Sequence, residues 1–226
     1  MYGPRWRRRS YSSQGQDLFV CQALHGLRGG YFLDSGAGDG TDGSNTLLLE
    51  EEYAWSGICL EPNAEFFARL RSTRRCLCLN CCLYSRDGKV SFLEGARELG
   101  GIVEAFEPAD LARARAVAAA LHPDGRPAEV VRDARRPESV LGSAGAPTVI
   151  DYWSLDTEGS EWEILRYFPF ETYRVRVLTV EHNFGSTRDP VRALLESRGY
   201  ERIADLGIDD GYVLRDDPAI LPPGGR

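Results

Sequence analysis

Apolar residues come in short runs along this chain, and most of the runs end in an acid or near a glycine. Short runs of this kind, bounded by turn formers, predict strands. They fall at Tyr31–Asp34, Gly57–Glu61, Cys76–Leu83, Val90–Leu93, Glu129–Arg132, Val149–Asp156, Val175–Glu181, Tyr200–Ala204 and Tyr212–Leu214. Helical spacing lies between most of them. Asn63 stands where an N-cap is needed for a helix carrying Phe66, Phe67 and Leu70, and a second helix runs from about Ser160 to Pro169 with Trp162, Ile164, Leu165 and Phe168 as its apolar set. A third, Asp189 to Arg198, has Pro190 in its first turn, Val191, Leu194 and Leu195 on one face, and Gly199 just past its end. Such alternation predicts an α/β fold with a mostly parallel sheet. The last two strands, joined by residues 206–211, read as a C-terminal antiparallel hairpin.

One stretch breaks the pattern. Residues 99–147 are rich in Ala, Arg and Pro, and their helix Pro108–Leu121 has only a thin apolar stripe of Leu111, Ala114, Ala118 and Leu121. That stretch is expected to pack weakly, as a lid or insertion over the substrate pocket or else as a surface excursion. Residues 1–10 read as a disordered basic tail and 217–226 as a second tail, leaving a single domain over 11–216.

The 226 residues are 42% hydrophobic and 27% charged, as in a globular chain of one ordinary domain. Net charge is −7, yet Arg5, Arg7, Arg8 and Arg9 stand together near the start; setting those four aside leaves −11 for the rest. An acidic body repels phosphate backbones, which argues against nucleic acid as a partner. No apolar run is long enough to span a membrane. Six cysteines show no second pair at zinc-ligand spacing, so they read as small buried hydrophobes, reduced, in a cytoplasmic protein.

The segment Phe32-Leu33-Asp34-Ser35-Gly36-Ala37-Gly38-Asp39-Gly40 carries the first chemistry. A strand, a glycine turn, a helix and a second strand ending in Glu61 make the nucleotide-binding half of a doubly wound sheet. A dinucleotide would set its pyrophosphate against that turn, where the Asp34 carboxylate repels it. S-adenosylmethionine carries an ammonium and a sulfonium instead, and both are favoured there. Glu61 then stands where it can accept the two ribose hydroxyls. Asp156, with Glu158, Gly159 and Glu161 following, repeats the acid-then-glycine logic, and Glu181-His182 ends a further strand. Ligands of open α/β sheets bind outside the carboxyl ends of the strands, so Asp34, Glu61, Asp156, Glu181 and His182 are expected to converge on one crevice.

The chain resembles the FkbM-type family of SAM-dependent methyltransferases from Tyr11 to about Leu214. The resemblance rests on Tyr11-Ser12-Ser13-Gln14-Gly15-Gln16-Asp17, with Ser13 in place of the family's Gln. Further matches are Asp34, Gly36 and Gly40 of the glycine turn, Asp156, Glu158, Gly159 and Glu161, and Asp209, Asp210 and Tyr212. It implies a class I methyltransferase (Rossmann-like) fold, a doubly wound, mostly parallel seven-stranded sheet, and methyl transfer to a hydroxyl oxygen of a small molecule or glycan. On this reading Asp34, Gly36, Gly38 and Gly40 surround the methionine end of the cofactor and Glu61 its ribose. Asn80 and Cys81 lie by the adenine, and Gln16 and Asp17 close over it. His182 is the first choice for the base that takes the hydroxyl proton, because its ordinary pKa is near neutrality. Asp156 is the alternative base or a ligand of the ammonium. A Mg²⁺ held by Asp156, Glu158 and Glu181 ranks behind a metal-free site. Two other classes stay open: a non-catalytic trafficking scaffold of the related Star type, and an NAD-linked oxidoreductase, which Asp34 disfavours.

Overall fold

The computed structural model describes residues 10–125 and 128–220. The basic cluster and the extreme C-terminus therefore lie outside the described residues. A seven-stranded sheet forms the centre: β1 (Tyr31–Ser35), β2 (Ser56–Leu60), β3 (Leu77–Leu79), β7 (Val149–Leu155), β8 (Arg174–Glu181), β9 (Tyr200–Leu206) and β10 (Asp209–Leu214). Their spatial order is β3-β2-β1-β7-β8-β10-β9. The first five strands run parallel, while β10 is antiparallel to both β8 and β9, giving the expected terminal hairpin. This is the doubly wound, mostly parallel seven-stranded sheet with a C-terminal antiparallel hairpin that the sequence led one to expect.

Alternate strand residues feed two separate cores, as the pleat requires. Leu33, Ile58, Trp153, Leu155 and Leu178 face one side, packed by α5 (Pro137–Ala144), α6 (Glu161–Arg166) and α7 (Arg188–Ser197) through Leu141, Ile164 and Leu195. Phe32, Cys59, Tyr152 and Val177 face the other, covered by α1 (Gln16–Ala23), α2 (Leu47–Tyr53) and α3 (Ala64–Thr73) through Val20, Leu48 and Leu70. Asn63 caps α3 as its position suggested: its side-chain oxygen accepts from the N–H groups of Glu65 (2.9 Å) and Phe66 (3.1 Å).

Three sequence expectations change. Cys76–Leu83 is not one strand. It divides into β3, at the edge of the main sheet, and β4 (Cys82–Leu83), which belongs to a second sheet with β6 (Glu129–Arg135) at its centre and β5 (Gly88–Leu93) on the far side. Asn80 sits at the break, where its amide donates to the Glu61 carbonyl (2.7 Å) and the Pro62 carbonyl (3.2 Å), so the chain is tied to the preceding turn instead of continuing straight. Residues 99–147 are likewise not one weakly packed excursion. Their second half supplies β6 (Glu129–Arg135), which pairs with β5 (Gly88–Leu93), and α5, whose Val140 and Leu141 are fully buried. In the first half, α4 (Pro108–Leu121) buries just Ala114 and Ala118. Near the C-terminus, Asp217 is buried and pairs with Arg176 (3.2 Å), so residues 217–220 pack on the body and are not a tail.

Candidate active site

Strand register builds the site. Ser35 pairs with Leu60 on one side and Leu155 on the other, and Leu155 pairs with Val180. The next residue of each strand therefore falls in one row, Glu61, Gly36, Asp156 and Glu181, and β10 adds Asp209 opposite Glu181. Neighbouring strands lie about 4.8 Å apart, so the row sets four carboxyl groups close together with a glycine among them. A side chain at Gly36 is impossible, because its φ is +86° and a Cβ would overlap the Asp156 carbonyl oxygen. The gap it leaves opens into a cavity of about 250 Å³ bordered by Asp34, Glu61, Cys81, Asp156 and Glu158, among others. Its described lining includes six carboxyl groups (Asp34, Asp42, Glu61, Glu98, Asp156 and Glu158) against one guanidinium, that of Arg97.

Both acids of the first half-fold are held from behind. The Thr46 hydroxyl donates to Asp34 Oδ2 (2.6 Å) and accepts from Arg74 Nη2 (2.9 Å), while Arg74 forms a fully buried pair with Glu50. Burial raises the pKa of Asp34, opposed by Thr46 and by the charge of Arg74. Glu61 takes one backbone donor on each oxygen, the Gly38 N–H (2.8 Å) and the Asn63 N–H (2.7 Å). Burial still outweighs these two bonds and pushes Glu61 up to about 8. A second lone pair remains on each oxygen.

A second cavity of about 260 Å³ adjoins the first, with Glu158 on both linings; Glu181, His182, Phe184, Phe106 and Asp110 also border it. Asp156 and Glu181 are hydrogen-bonded to each other through their carboxyl groups, at the boundary between the two cavities. Burial, and then the charges of Asp209 and Glu161, raise Asp156 to about 8. Burial followed by Asp156 and Glu161 raises Glu158 to about 9, and Glu181 rises for the same reasons. Glu161 is occupied otherwise: it accepts from Thr157 N–H (2.7 Å), the Thr157 hydroxyl (2.7 Å) and Gly159 N–H (3.0 Å), and so fixes the turn into α6. The backbone is unusual on both sides of this boundary. Glu158 (φ +57°), Asn183 (φ +42°) and Phe184 (φ +58°) adopt left-handed conformations that cost energy for residues with a Cβ. The turn they make leaves the Phe184 ring 73% exposed at the cavity edge.

Of the residues singled out from sequence, Asp34, Gly36, Gly38, Glu61, Cys81 and Asp156 border the first cavity, and Glu181 and His182 border the second. The expected single crevice is thus two adjoining ones. Gly40 packs away from both, against Leu70 and Arg74. Asn80 shapes the turn behind the site. Gln16 bonds Asp209, and Asp17 is wholly buried, accepting from the hydroxyls of Ser10 (2.6 Å) and Ser12 (2.8 Å) and from Tyr11 N–H (2.8 Å). These two side chains fasten the N-terminal segment, whose Ser13 reaches the first cavity.

His182 does not offer what a base needs. The Phe184 N–H donates to its Nδ1 (3.0 Å), so the neutral ring carries its proton on Nε2. Nε2 is buried with no hydrogen-bond partner, 3.8 Å from Asp210 Oδ1, and burial together with Arg188 lowers the ring's pKa. Neither nitrogen presents a free lone pair. Sequence reasoning also missed Thr46, Glu50 and Arg74, which position Asp34. Their only signal was a Thr before an apolar helix and an Arg at the end of α3.

The sequence profile described as the methyltransferase FkbM domain matches residues 34–202. No curated protein matches the chain in sequence. Among solved structures, precorrin-6y C5,15-methyltransferase from Geobacter metallireducens GS-15 matches at 11% identity over 94% of this chain and 92% of that chain, with a TM-score of 0.43.

Proposed function

The chain belongs to the FkbM methyltransferase family, and from that premise we propose that it transfers the methyl group of S-adenosylmethionine to a hydroxyl oxygen of a small molecule or glycan. The observation that carries this reading is the first cavity's acidic lining, with Asp34, Glu61 and Asp156 around a glycine turn at the strand ends. A sulfonium and an ammonium draw those raised carboxyl groups into their ionised form and gain from it, whereas a pyrophosphate opposes it.

Bound in this cavity, the donor supplies a methyl group already activated by its positive sulfur. The chain's work is then to align the acceptor and take up one proton, and such positioning supplies several kcal/mol of rate enhancement. Glu61 accepts the ribose hydroxyls with its spare lone pairs, Asp34 and the Gly36–Gly38 turn hold the amino-acid end, and Cys81 borders the adenine. The second cavity takes the acceptor, with the Phe184 and Phe106 rings as apolar faces for a sugar or a ring-bearing alcohol. Asp156, at the boundary and linked to Glu181, is the base: as the new O–CH₃ bond forms and the C–S bond breaks, the hydroxyl proton passes to this pair of carboxyl groups. A carboxyl raised to about 8 suits that task near neutral pH. His182 acts as a positioning residue that holds the Phe184 turn.

Titration calorimetry with S-adenosylmethionine and with NAD tests the reading. Micromolar binding of the first alone supports it. Binding of NAD alone would make the chain an oxidoreductase, and silence toward both would leave a scaffold.

A further inference from the structure

Where Asp156 meets Glu181, two acids touch with no base between them. Two ionised carboxylates in contact need a positive charge or a shared proton to stay together. Glu158 comes from a third position on the same boundary, and one oxygen from each of the three lies within 4.8 Å of the others. Among the described residues, Asn183 reaches Glu158 only at 3.5 Å, and the Arg113 charge favours the ionised form of Glu158 without outweighing its burial and its acidic neighbours. Glu181 supplies the second, independent sign. It is 5% exposed, and no N–H or hydroxyl donor reaches its Oε2. A buried carboxylate oxygen without a donor is rare in folded proteins, because leaving it so costs about 1–3 kcal/mol. By contrast Glu161, in the same turn, is saturated with donors.

We propose that Asp156, Glu158 and Glu181 bind a divalent cation at the boundary of the two cavities, where it coordinates the acceptor's oxygen. All-oxygen ligation of this kind suits hard cations. Ligands on opposite sides of Ca²⁺ lie about 4.6–5.2 Å apart and those of Mg²⁺ about 4.0–4.2 Å. The spacing here admits a Ca²⁺- or Mn²⁺-sized ion as it stands, and Mg²⁺ after a small turn of the Glu158 side chain. Three carboxylates leave coordination positions for oxygens from outside the chain. An acceptor with two adjacent oxygens, a vicinal diol or a hydroxy-carbonyl group, fills two of them. Its metal-bound hydroxyl gives up its proton more readily, and that proton goes to solvent or to a neighbouring carboxylate. The use made of the cation rests on the methyltransferase reading; the binding does not.

Mn²⁺ titration of the full chain at pH 8, read by the loss of the free-ion electron paramagnetic resonance signal, tests the site. One ion per chain is expected with a dissociation constant below about 1 mM, within the range of carboxylate-built sites. Glu181→Gln and Glu158→Gln should each weaken binding by about tenfold or more, with circular dichroism showing that both remain folded. Glu158→Gln, at the less buried position, is the variant that keeps the test decisive if Glu181→Gln unfolds. Absence of saturable binding, or an unchanged affinity in a folded variant, overturns the proposal. Calorimetry with S-adenosylmethionine in EDTA runs alongside. Donor binding without Mn²⁺ binding removes the cation and leaves the enzyme reading intact, whereas Mn²⁺ binding without donor binding does the reverse.

Discussion

Replacing Glu61 by Gln keeps the size of the side chain and removes one acceptor. The carboxylate now serves two backbone donors, Gly38 N–H on Oε2 at 2.8 Å and Asn63 N–H on Oε1 at 2.7 Å. An amide has one oxygen, so one of the two N–H groups must face an NH₂ group. A buried donor left in that state costs about 1–3 kcal/mol of stability, which a thermal melt detects. Separately, the ribose hydroxyls lose a charged acceptor, a loss of about 1.5–3 kcal/mol in binding. At about 1.4 kcal/mol per decade that is a roughly 10- to 150-fold rise in the dissociation constant for S-adenosylmethionine. Calorimetry on wild type and variant gives the number. A donor analogue lacking both ribose hydroxyls separates the two effects, since the variant should bind it as well as wild type does. A lowered melting temperature with unchanged donor affinity would refute the ribose role and leave Glu61 as a fastener of the glycine turn.

Other outcomes follow from the same geometry. Glu61, Asp156 and Glu158 have folded-state pKa values raised to about 8 or 9, and Asp209 to about 6. The folded chain therefore holds protons that the unfolded chain has already released, and stability falls as pH rises from about 4.5 toward 8. The melting temperature of the ligand-free protein should drop between pH 5 and pH 8, and a rise over that interval would contradict the assignment. With no divalent cation added, the rate of methyl transfer should climb with pH through about 8, the value for Asp156, as the base ionises. Gly36→Ala should prevent folding or cost at least about 3 kcal/mol in a melt, because left-handed backbone and a collision with the Asp156 carbonyl combine. Phe184→Ala removes an exposed ring and should raise KM for the acceptor several-fold with little change in melting temperature.

The sheet was legible in the sequence because its signal is local. Most strand ends carry their own acid or glycine, and the parallel direction of the strands follows from their alternation with helices. The division at Asn80 was not legible, since its cause is an amide reaching the carbonyls of Glu61 and Pro62, 19 and 18 residues back. Periodicity sees only an uninterrupted apolar run there. The support beneath Asp34 was hidden for the same reason: Glu50 and Arg74 are 24 residues apart and look like two ordinary surface charges. A strand-end position and an ordinary pKa near neutrality recommended His182 as a base, and only the Phe184 N–H on its Nδ1 shows which nitrogen is already engaged. Gln16 and Asp17 were readable as a motif, yet their side chains tie the N-terminal segment down and border neither cavity.

The segment from Arg97 to Phe106 is a party wall. Arg97, Glu98, Gly100 and Ile102 face the first chamber, while Leu99, Ala105 and Phe106 face its neighbour. Any displacement of this partition by one guest alters the room left for the other. Two guests held there at once would therefore be energetically linked, each changing the other's affinity by the same factor through a stretch of ten residues.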